Sequence, residues 1–238
     1  MSDGVRFSSA GPLSLFAIVL LIALLILIIS LFILGVIGAA FTRLGFSWIS
    51  ALAIVLLMLL GSFVNIPVYK IRRDMIRIAP PDSSVYGENR QSSPSPVWDT
   101  TIFVNLGGAV IPVAVSVYMV YQAILITGRS LIFSVCAGII LVAAITYVST
   151  RSVPGSGIQV SLLIPGLTAL LAGLLLFGGT GLAAAVTAFA SGIFGTLLGG
   201  NIARLFRIKD LDVPSLSIGG AGTFGAVFIC CILPALIA

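Results

Sequence analysis

Long apolar runs alternate with short polar breaks along almost the whole chain. The first run, from Leu13 to about Ala40, would extend about 42 Å as a helix, which is more than the roughly 30 Å hydrocarbon core of a bilayer. It is also longer than the roughly 7–15 apolar residues of a signal peptide, so it predicts an uncleaved transmembrane helix. The whole pattern predicts an all-α, polytopic fold with one transmembrane domain, residues 1–238. The seven predicted spans are at about 13–40, 47–68, 101–126, 131–148, 161–177, 182–205 and 217–238.

The composition agrees with this interpretation. Hydrophobic residues make up 59% of the chain and charged residues only 8%, whereas soluble domains carry roughly 25% charged residues. Because a water-facing surface cannot be built from such a chain, its expected partner is the lipid bilayer. The longest polar stretch, residues 70–99, is rich in Pro and Ser and predicts a loop without a core of its own.

The distribution of Lys and Arg predicts the orientation. With seven spans, the N-terminus and the second, fourth and sixth loops share one side, and ten of the twelve basic residues lie there. These ten are Arg6, Lys70, Arg72, Arg73, Arg77, Arg90, Arg151, Arg204, Arg207 and Lys209. The positive-inside rule then places the N-terminus and the 70–99 loop in the cytoplasm and the C-terminus outside. The net charge of +5 therefore indicates orientation, and nucleic acid is not an expected partner. The tight loops favour the cytoplasmic membrane of a prokaryote.

Polar and glycine residues gather near the predicted cytoplasmic ends of the helices. An amide side chain in lipid is costly unless it is paired, so we expect these residues to point inward and to line a polar cavity open to the cytoplasm. The start of the last helix would favour an anionic or carbonyl-bearing ligand there. The predicted ligand-binding residues are Asn65, Asn105, Gly107, Gly108, Asn201, Ser217, Gly219, Gly220, Gly222, Thr223 and Gly225.

A structural role for the same residues is the alternative. Glycines at spacings of three or four residues let helices pack closely, and Asn near a helix end often caps the backbone. The glycine run after Ser217 is not interpreted as a nucleotide-binding fingerprint, because the all-α interpretation places no strand before it and no βαβ unit around it.

The inventory of reactive side chains argues against an enzyme. The chain has no His, which excludes imidazole ligands and imidazole acid–base chemistry. All seven Asp and Glu residues lie in predicted loops or in the N-terminal tail, so no carboxylate pair is expected inside the membrane. Cys136, Cys230 and Cys231 lie in apolar segments and are expected to be buried small hydrophobes. No metal or cofactor is expected.

Four stretches of the chain resemble a known family. They are 61–67 (GSFVNIP), 104–112 (VNLGGAVIP), 195–199 (GTLLG) and 217–224 (SIGGAGTF). They are similar to domain-of-unknown-function family 1614, small polytopic membrane proteins of archaea and bacteria. In that family's pattern an Asp commonly follows the glycines that close helix six, and another follows Gly-Thr-Phe in helix seven. Here those places hold Asn201 and Gly225.

The resemblance also implies a layout similar to that of presenilin-type intramembrane aspartyl proteases, in which two carboxylates share a proton. Without either Asp, the chain would be a non-catalytic member of such a scaffold. Three functions stay open. The first is a non-enzymatic protein whose cavity binds a small ligand or lipid, with transport as a possible role. The second is a structural or accessory subunit that packs against other membrane proteins or itself, and the third is a protease-like scaffold.

Overall fold

The computed structural model describes residues 12–71, 100–153, 157–205 and 215–237. Within these residues the chain is mostly helical, with seven helices and five short strands. The elements are α1 (Pro12–Arg43), α2 (Trp48–Gly61), β1 (Asn65–Ile71), β2 (Thr100–Asn105), α3 (Leu106–Thr127), α4 (Ser130–Ser149), β3 (Arg151–Val153), β4 (Gly157–Gln159), α5 (Ile164–Phe177), α6 (Leu182–Leu205), β5 (Ser215–Ile218) and α7 (Ala221–Ile232). Two segments are π-helical, Leu106–Val110 at the start of α3 and Leu197–Ile202 near the end of α6.

Four helices are long and apolar enough to cross a membrane: α1, α3, α4 and α6. The helices α2, α5 and α7 are apolar but shorter, with 12 to 14 residues each, or about 18–21 Å at 1.5 Å per residue. Helix lengths and composition are thus those of an integral membrane protein. The loop predicted at 70–99 lies almost entirely outside the described residues.

The prediction of a purely α-helical fold missed two small sheets. The first has the order β1-β2-β5, with β1 antiparallel and β5 parallel to β2. The second is the β3–β4 hairpin. Three predicted spans therefore need correction: the span 47–68 is helical only to Gly61, and the spans 101–126 and 217–238 each begin as a strand.

Local sequence explains these strands. Pro67 lacks an amide hydrogen and is excluded from a helix interior. It lies on β1, at the edge of the sheet, where a missing donor is tolerated, and the register shifts between Pro67 and Tyr69. The central strand β2 has the sequence TTIFVN, whose β-branched and aromatic residues favour a pleated conformation.

Both sheets lie at one end of the helix bundle, where α2, α4 and α6 end and where α3, α5 and α7 begin. We call this the sheet end. At the opposite end, the turn end, tight turns use glycines with positive φ, among them Gly45, Gly128 and Gly178. The N–H of Gly181 donates to the carbonyl of Ile237 at 2.6 Å, which fixes the segment after α7 to the start of α6.

The helix α6 forms the centre of the bundle. Every side chain from Ala184 to Ile193 is buried, and most are small. A Cβ added at Gly138 of α4 would lie 2.8 Å from Ser191, and one at Gly192 would lie 2.9 Å from Cys230 of α7. Small residues thus let α6 approach its neighbours closely, as is typical of helix packing in membranes.

The three cysteines differ in burial. Cys230 and Cys231 are buried as expected, but Cys136 is exposed, so the expectation of three buried cysteines was wrong at that position.

The described side chains of α1 from Phe16 to Phe32 are all exposed. Nearer its C-terminal end α1 packs on the bundle through Ile37 and Phe41, and the Phe41 ring lies edge-on to Phe189 with centroids 6.1 Å apart.

Candidate functional site

Three of the predicted site residues meet at the sheet end. Asn65 begins β1, Asn105 ends β2 and Ser217 lies on β5. The Oδ1 of Asn65 accepts hydrogen bonds from Asn105 Nδ2 at 3.0 Å and from Ser217 Oγ at 2.7 Å. We call these three residues the asparagine cluster.

Asn105 also ties the cluster to the backbone. Its Nδ2 donates to the carbonyl of Ser62 at 2.7 Å, and its Oδ1 accepts from the N–H of Gly108 at 2.7 Å. The side chain is 1% exposed. Asn105 therefore caps the first turn of α3 and joins it to the end of α2, which is the capping role considered as the alternative from sequence.

The glycines beside the cluster allow backbones to touch. A Cβ at Gly107 would overlap the carbonyl oxygen of Met58, and a Cβ at Gly108 would overlap that of Gly219. Gly219 itself has φ +73°, which a residue with a side chain rarely adopts. The start of α3 is thereby packed against both the end of α2 and the turn between β5 and α7.

Asn201 forms a separate polar contact inside the bundle. It lies in the π-helical segment of α6, is 1% exposed, and its Nδ2 donates to Thr223 Oγ1 of α7 at 3.0 Å. Its Oδ1 has no hydrogen-bond partner among the described residues. Gly225 does not share this environment, because a Cβ there would meet Leu162 at 2.8 Å. The two positions at which the resemblance implies Asp thus have different neighbours.

The start of α7 supports the β3–β4 hairpin. The carbonyl of Gly222 accepts a hydrogen bond from the N–H of Val160 at 2.9 Å, and a Cβ at Gly222 would overlap the carbonyl oxygen of Ile158. From the other side, a Cβ at Gly200 would lie 2.7 Å from Val160 Cγ2. Gly220 precedes α7, and its carbonyl accepts from the N–H groups of Thr223 and Phe224 at 2.8 Å each.

A cavity of about 410 Å³ opens beside this hairpin. We call it the hairpin cleft. The end of α4, the β3–β4 hairpin and the start of α5 line it through Val148, Ser149, Arg151, Gln159, Val160, Ser161 and Ile164. Arg151 and Gln159 are directly paired across the hairpin, and both are exposed. None of the predicted ligand-binding residues lies in this lining, although Gly222 holds one of its walls through Val160.

Sequence reasoning used two arginines near the cleft only as markers of orientation. Arg151 is in the cleft lining. Arg204 lies behind it, where Nη2 donates to the carbonyls of Tyr147 at 2.6 Å and Thr150 at 2.9 Å. Its guanidinium carbon is 4.6 Å from the centre of the Tyr147 ring. A cation at the C-terminal carbonyls of a helix is favourable, so Arg204 secures the last turn of α4. The acidic residues Asp210 and Asp212 lie outside the described residues.

The interpretation of the glycine run after Ser217 needs one correction. A strand, β5, does precede it, and residues 220–225 have the spacing G-x-G-x-x-G. The first of the two reasons given from sequence for rejecting a nucleotide fingerprint, the absence of a preceding strand, was therefore wrong, whereas no strand follows α7 among the described residues. The fingerprint nevertheless requires open space beside its glycines for a pyrophosphate. Here Gly222 lies against the Ile158 carbonyl and Gly225 lies against the Leu162 side chain, so protein atoms occupy that space.

Comparison with known proteins gives one match. The model of a family described as protein of unknown function (DUF1614) matches residues 59–237. The matched part begins at the end of α2 and includes both sheets and the helices from α3 to α7, whereas α1 lies outside it. No curated protein and no solved structure matches the chain.

Proposed function

The chain belongs to the DUF1614 family, and we propose that it binds the anionic group of a small ligand or lipid in the hairpin cleft. The observation that carries the proposal is the chemistry of the cleft lining. It contains one guanidinium, that of Arg151, together with Ser149, Gln159 and Ser161, and it contains no carboxylate. Such a set donates hydrogen bonds and one positive charge, which suits a phosphate or a carboxylate.

The position of the cleft favours a lipid headgroup or another ligand at the membrane surface. We propose seven spans, with the sheet end facing the cytoplasm of a prokaryotic cell, because ten of the twelve basic residues fall on that side. The cleft then lies where lipid phosphates lie, and juxtamembrane Lys and Arg residues are attracted to anionic headgroups. The glycines at the start of α7 enter this proposal as supports of the cleft wall.

Replacing Arg151 by Gln should weaken binding of phosphatidylglycerol by about tenfold, since a hydrogen bond to a charged group contributes about 1.5–3 kcal/mol. Native mass spectrometry of the detergent-purified protein measures the fraction carrying one lipid. Arg129→Gln is the matched control, because Arg129 is an exposed arginine at the turn end. If both variants lose phosphatidylglycerol binding equally, or if neither loses any, Arg151 has no specific role in binding the lipid.

Competition separates the two sources of the anion. If inorganic phosphate displaces phosphatidylglycerol from the protein at similar concentration, the cleft recognises the free anion. If phosphate has no effect and phosphatidylcholine binds far more weakly than phosphatidylglycerol, the cleft recognises the anionic lipid.

The proposed topology has its own test. A cysteine at Arg129 should react with a membrane-impermeant maleimide in intact cells, because the turn between α3 and α4 is proposed to lie outside. A cysteine at Ser92, in the predicted cytoplasmic loop, should react only after lysis. Both variants are made in a Cys136→Ser background, since Cys136 is exposed. Labelling of the Ser92 cysteine in intact cells would contradict the orientation.

A second candidate function, an accessory subunit, is favoured by α1. Its described side chains from Phe16 to Phe32 are exposed on every side, and the helix lies outside the family match. A photo-reactive residue at Leu24 should then form a cross-link to a protein, whereas cross-links to lipid alone would leave α1 as a membrane anchor.

A further inference from the structure

A second cavity lies at the opposite end of the bundle from the hairpin cleft. We call it the turn-end pocket. Its volume is about 230 Å³, and it lies between the α1–α2 turn, α3 and the start of α6. We propose that it binds an uncharged aromatic molecule of one or two rings that carries a hydroxyl or carbonyl group.

The polar part of the pocket is a side-chain pair on α3. Gln122 Nε2 donates to the hydroxyl oxygen of Tyr118 at 3.1 Å. This leaves the hydroxyl hydrogen of Tyr118 and the amide oxygen of Gln122 without partners in the described part of the chain. An amide is costly inside a membrane-spanning helix and usually has a function there. The pair offers one donor and one acceptor to a ligand hydroxyl or carbonyl.

The other lining residues favour an uncharged ligand that contains an aromatic ring. Besides Tyr118 and Gln122 it is apolar, with Phe46, Ala123, Leu182 and Val186 among its residues, and it has no charged side chain. The lining therefore offers a charged ligand no counter-ion, which favours an uncharged one. The rings of Phe46 and Tyr118 lie 6.0 Å apart with an interplanar angle of 41°, a geometry in which each ring can contact a third.

The size of the pocket and the hydrogen bonds of its turn support the same class of ligand. A dry cavity of about 150 Å³ holds benzene, so 230 Å³ accommodates a substituted ring or a small bicyclic molecule. The α1–α2 turn in its lining is held by two hydrogen bonds, because the N–H groups of Leu44 and Phe46 both donate to the Phe41 carbonyl at 3.1 Å. Gly45 between them has φ +93°.

The test uses 4-fluorophenol with the full-length protein in phosphatidylcholine nanodiscs, and measures broadening of the fluorine NMR signal beyond that in empty discs. Tyr118→Phe and Gln122→Leu should each weaken binding about fivefold, the factor expected for one neutral hydrogen bond. Leu182→Phe should abolish the excess broadening, because it fills the pocket at a partly exposed position. Tyr121→Phe is the matched control, since Tyr121 is exposed on α3 outside the pocket lining.

The proposal is overturned if the wild-type protein broadens the signal no more than empty discs do, or if Leu182→Phe leaves the broadening unchanged. In either case the probe only partitions into lipid. An equal loss in Tyr118→Phe and Tyr121→Phe would overturn the assigned role of the polar pair. None of these variants changes Arg151. Failure of the turn-end pocket proposal can therefore be distinguished from failure of the hairpin-cleft proposal.

Discussion

Replacing Gly108 by alanine is expected to destabilise the protein by about 3 kcal/mol or more. The new Cβ would overlap the carbonyl oxygen of Gly219 and lie 3.1 Å from Phe224 Cδ2. Overpacking a well-filled interior costs about 1–3 kcal/mol when side chains can adjust, and here the obstructing atom belongs to the backbone. Relief requires α3 and the β5–α7 turn to separate, which would also strain the asparagine cluster.

Thermal unfolding with a thiol-reactive dye measures this effect. Cys230 and Cys231 are buried and react only when the bundle opens, and Cys136→Ser removes the exposed thiol. The control is Gly35→Ala in α1, where an added Cβ has no atom within 4 Å and alanine favours the helix by up to about 1 kcal/mol. If Gly108→Ala unfolds at the same temperature as Gly35→Ala, the close packing of α3 against the β5–α7 turn is wrong.

The membrane class and most helices were predictable because they depend on long apolar runs. A run such as that of α6, residues 182–205, needs no fine pattern to be recognised, and the structure places it where predicted. The family could also be suggested from sequence, since the stretch 104–112 (VNLGGAVIP) combines Asn, Gly and Pro, and the stretch 217–224 (SIGGAGTF) combines Gly with Ser and Thr. The matched region, residues 59–237, includes both stretches.

The strands were not predictable from the same signal. Between Gly61 and Tyr69 the chain stays mostly apolar, and hydrophobic periodicity cannot separate a buried helix from a strand over so short a run. Pro67 was the available sign that the helix had ended. The parallel pairing of β2 with β5 joins residues more than a hundred positions apart, which no local pattern indicates.

The candidate site was predictable only in part. Of the predicted residues, the structure brings Asn65, Asn105 and Ser217 together, whereas Asn201 lies apart and contacts Thr223. Sequence reasoning did not foresee that the first three residues would bond to one another and to the backbone. The hairpin cleft depends on the pairing of β3 with β4, and each of these strands is too short to show a period. For the turn-end pocket a signal existed in the sequence, namely the amide of Gln122 in a mostly apolar helix.

Replacing Asn105 by leucine is expected to cost about 2–3 kcal/mol, although the two side chains are similar in size. The change removes the cap on the Gly108 N–H, worth about 1 kcal/mol, and the hydrogen bonds to Ser62 and Asn65. Side-chain hydrogen bonds between helices in membranes contribute about 0.6 kcal/mol on average. The sum is larger here because the Gly108 N–H, itself buried, loses its side-chain acceptor.

Two further variants, measured by the same thermal unfolding, show whether the burial of Asn105 determines the size of the stability loss. Gln122→Leu makes the same kind of replacement at an exposed position with one hydrogen bond, and should change stability by less than about 0.5 kcal/mol. Asn65→Ala removes the acceptor shared by Asn105 and Ser217, but Asn65 is exposed, so water can replace it and the loss should stay near 1 kcal/mol. A loss at Asn65 as large as that at Asn105 would mean that the three residues stabilise the sheet end as one unit. A negligible loss at Asn105 would mean that glycine packing alone holds α2, α3 and β5 together.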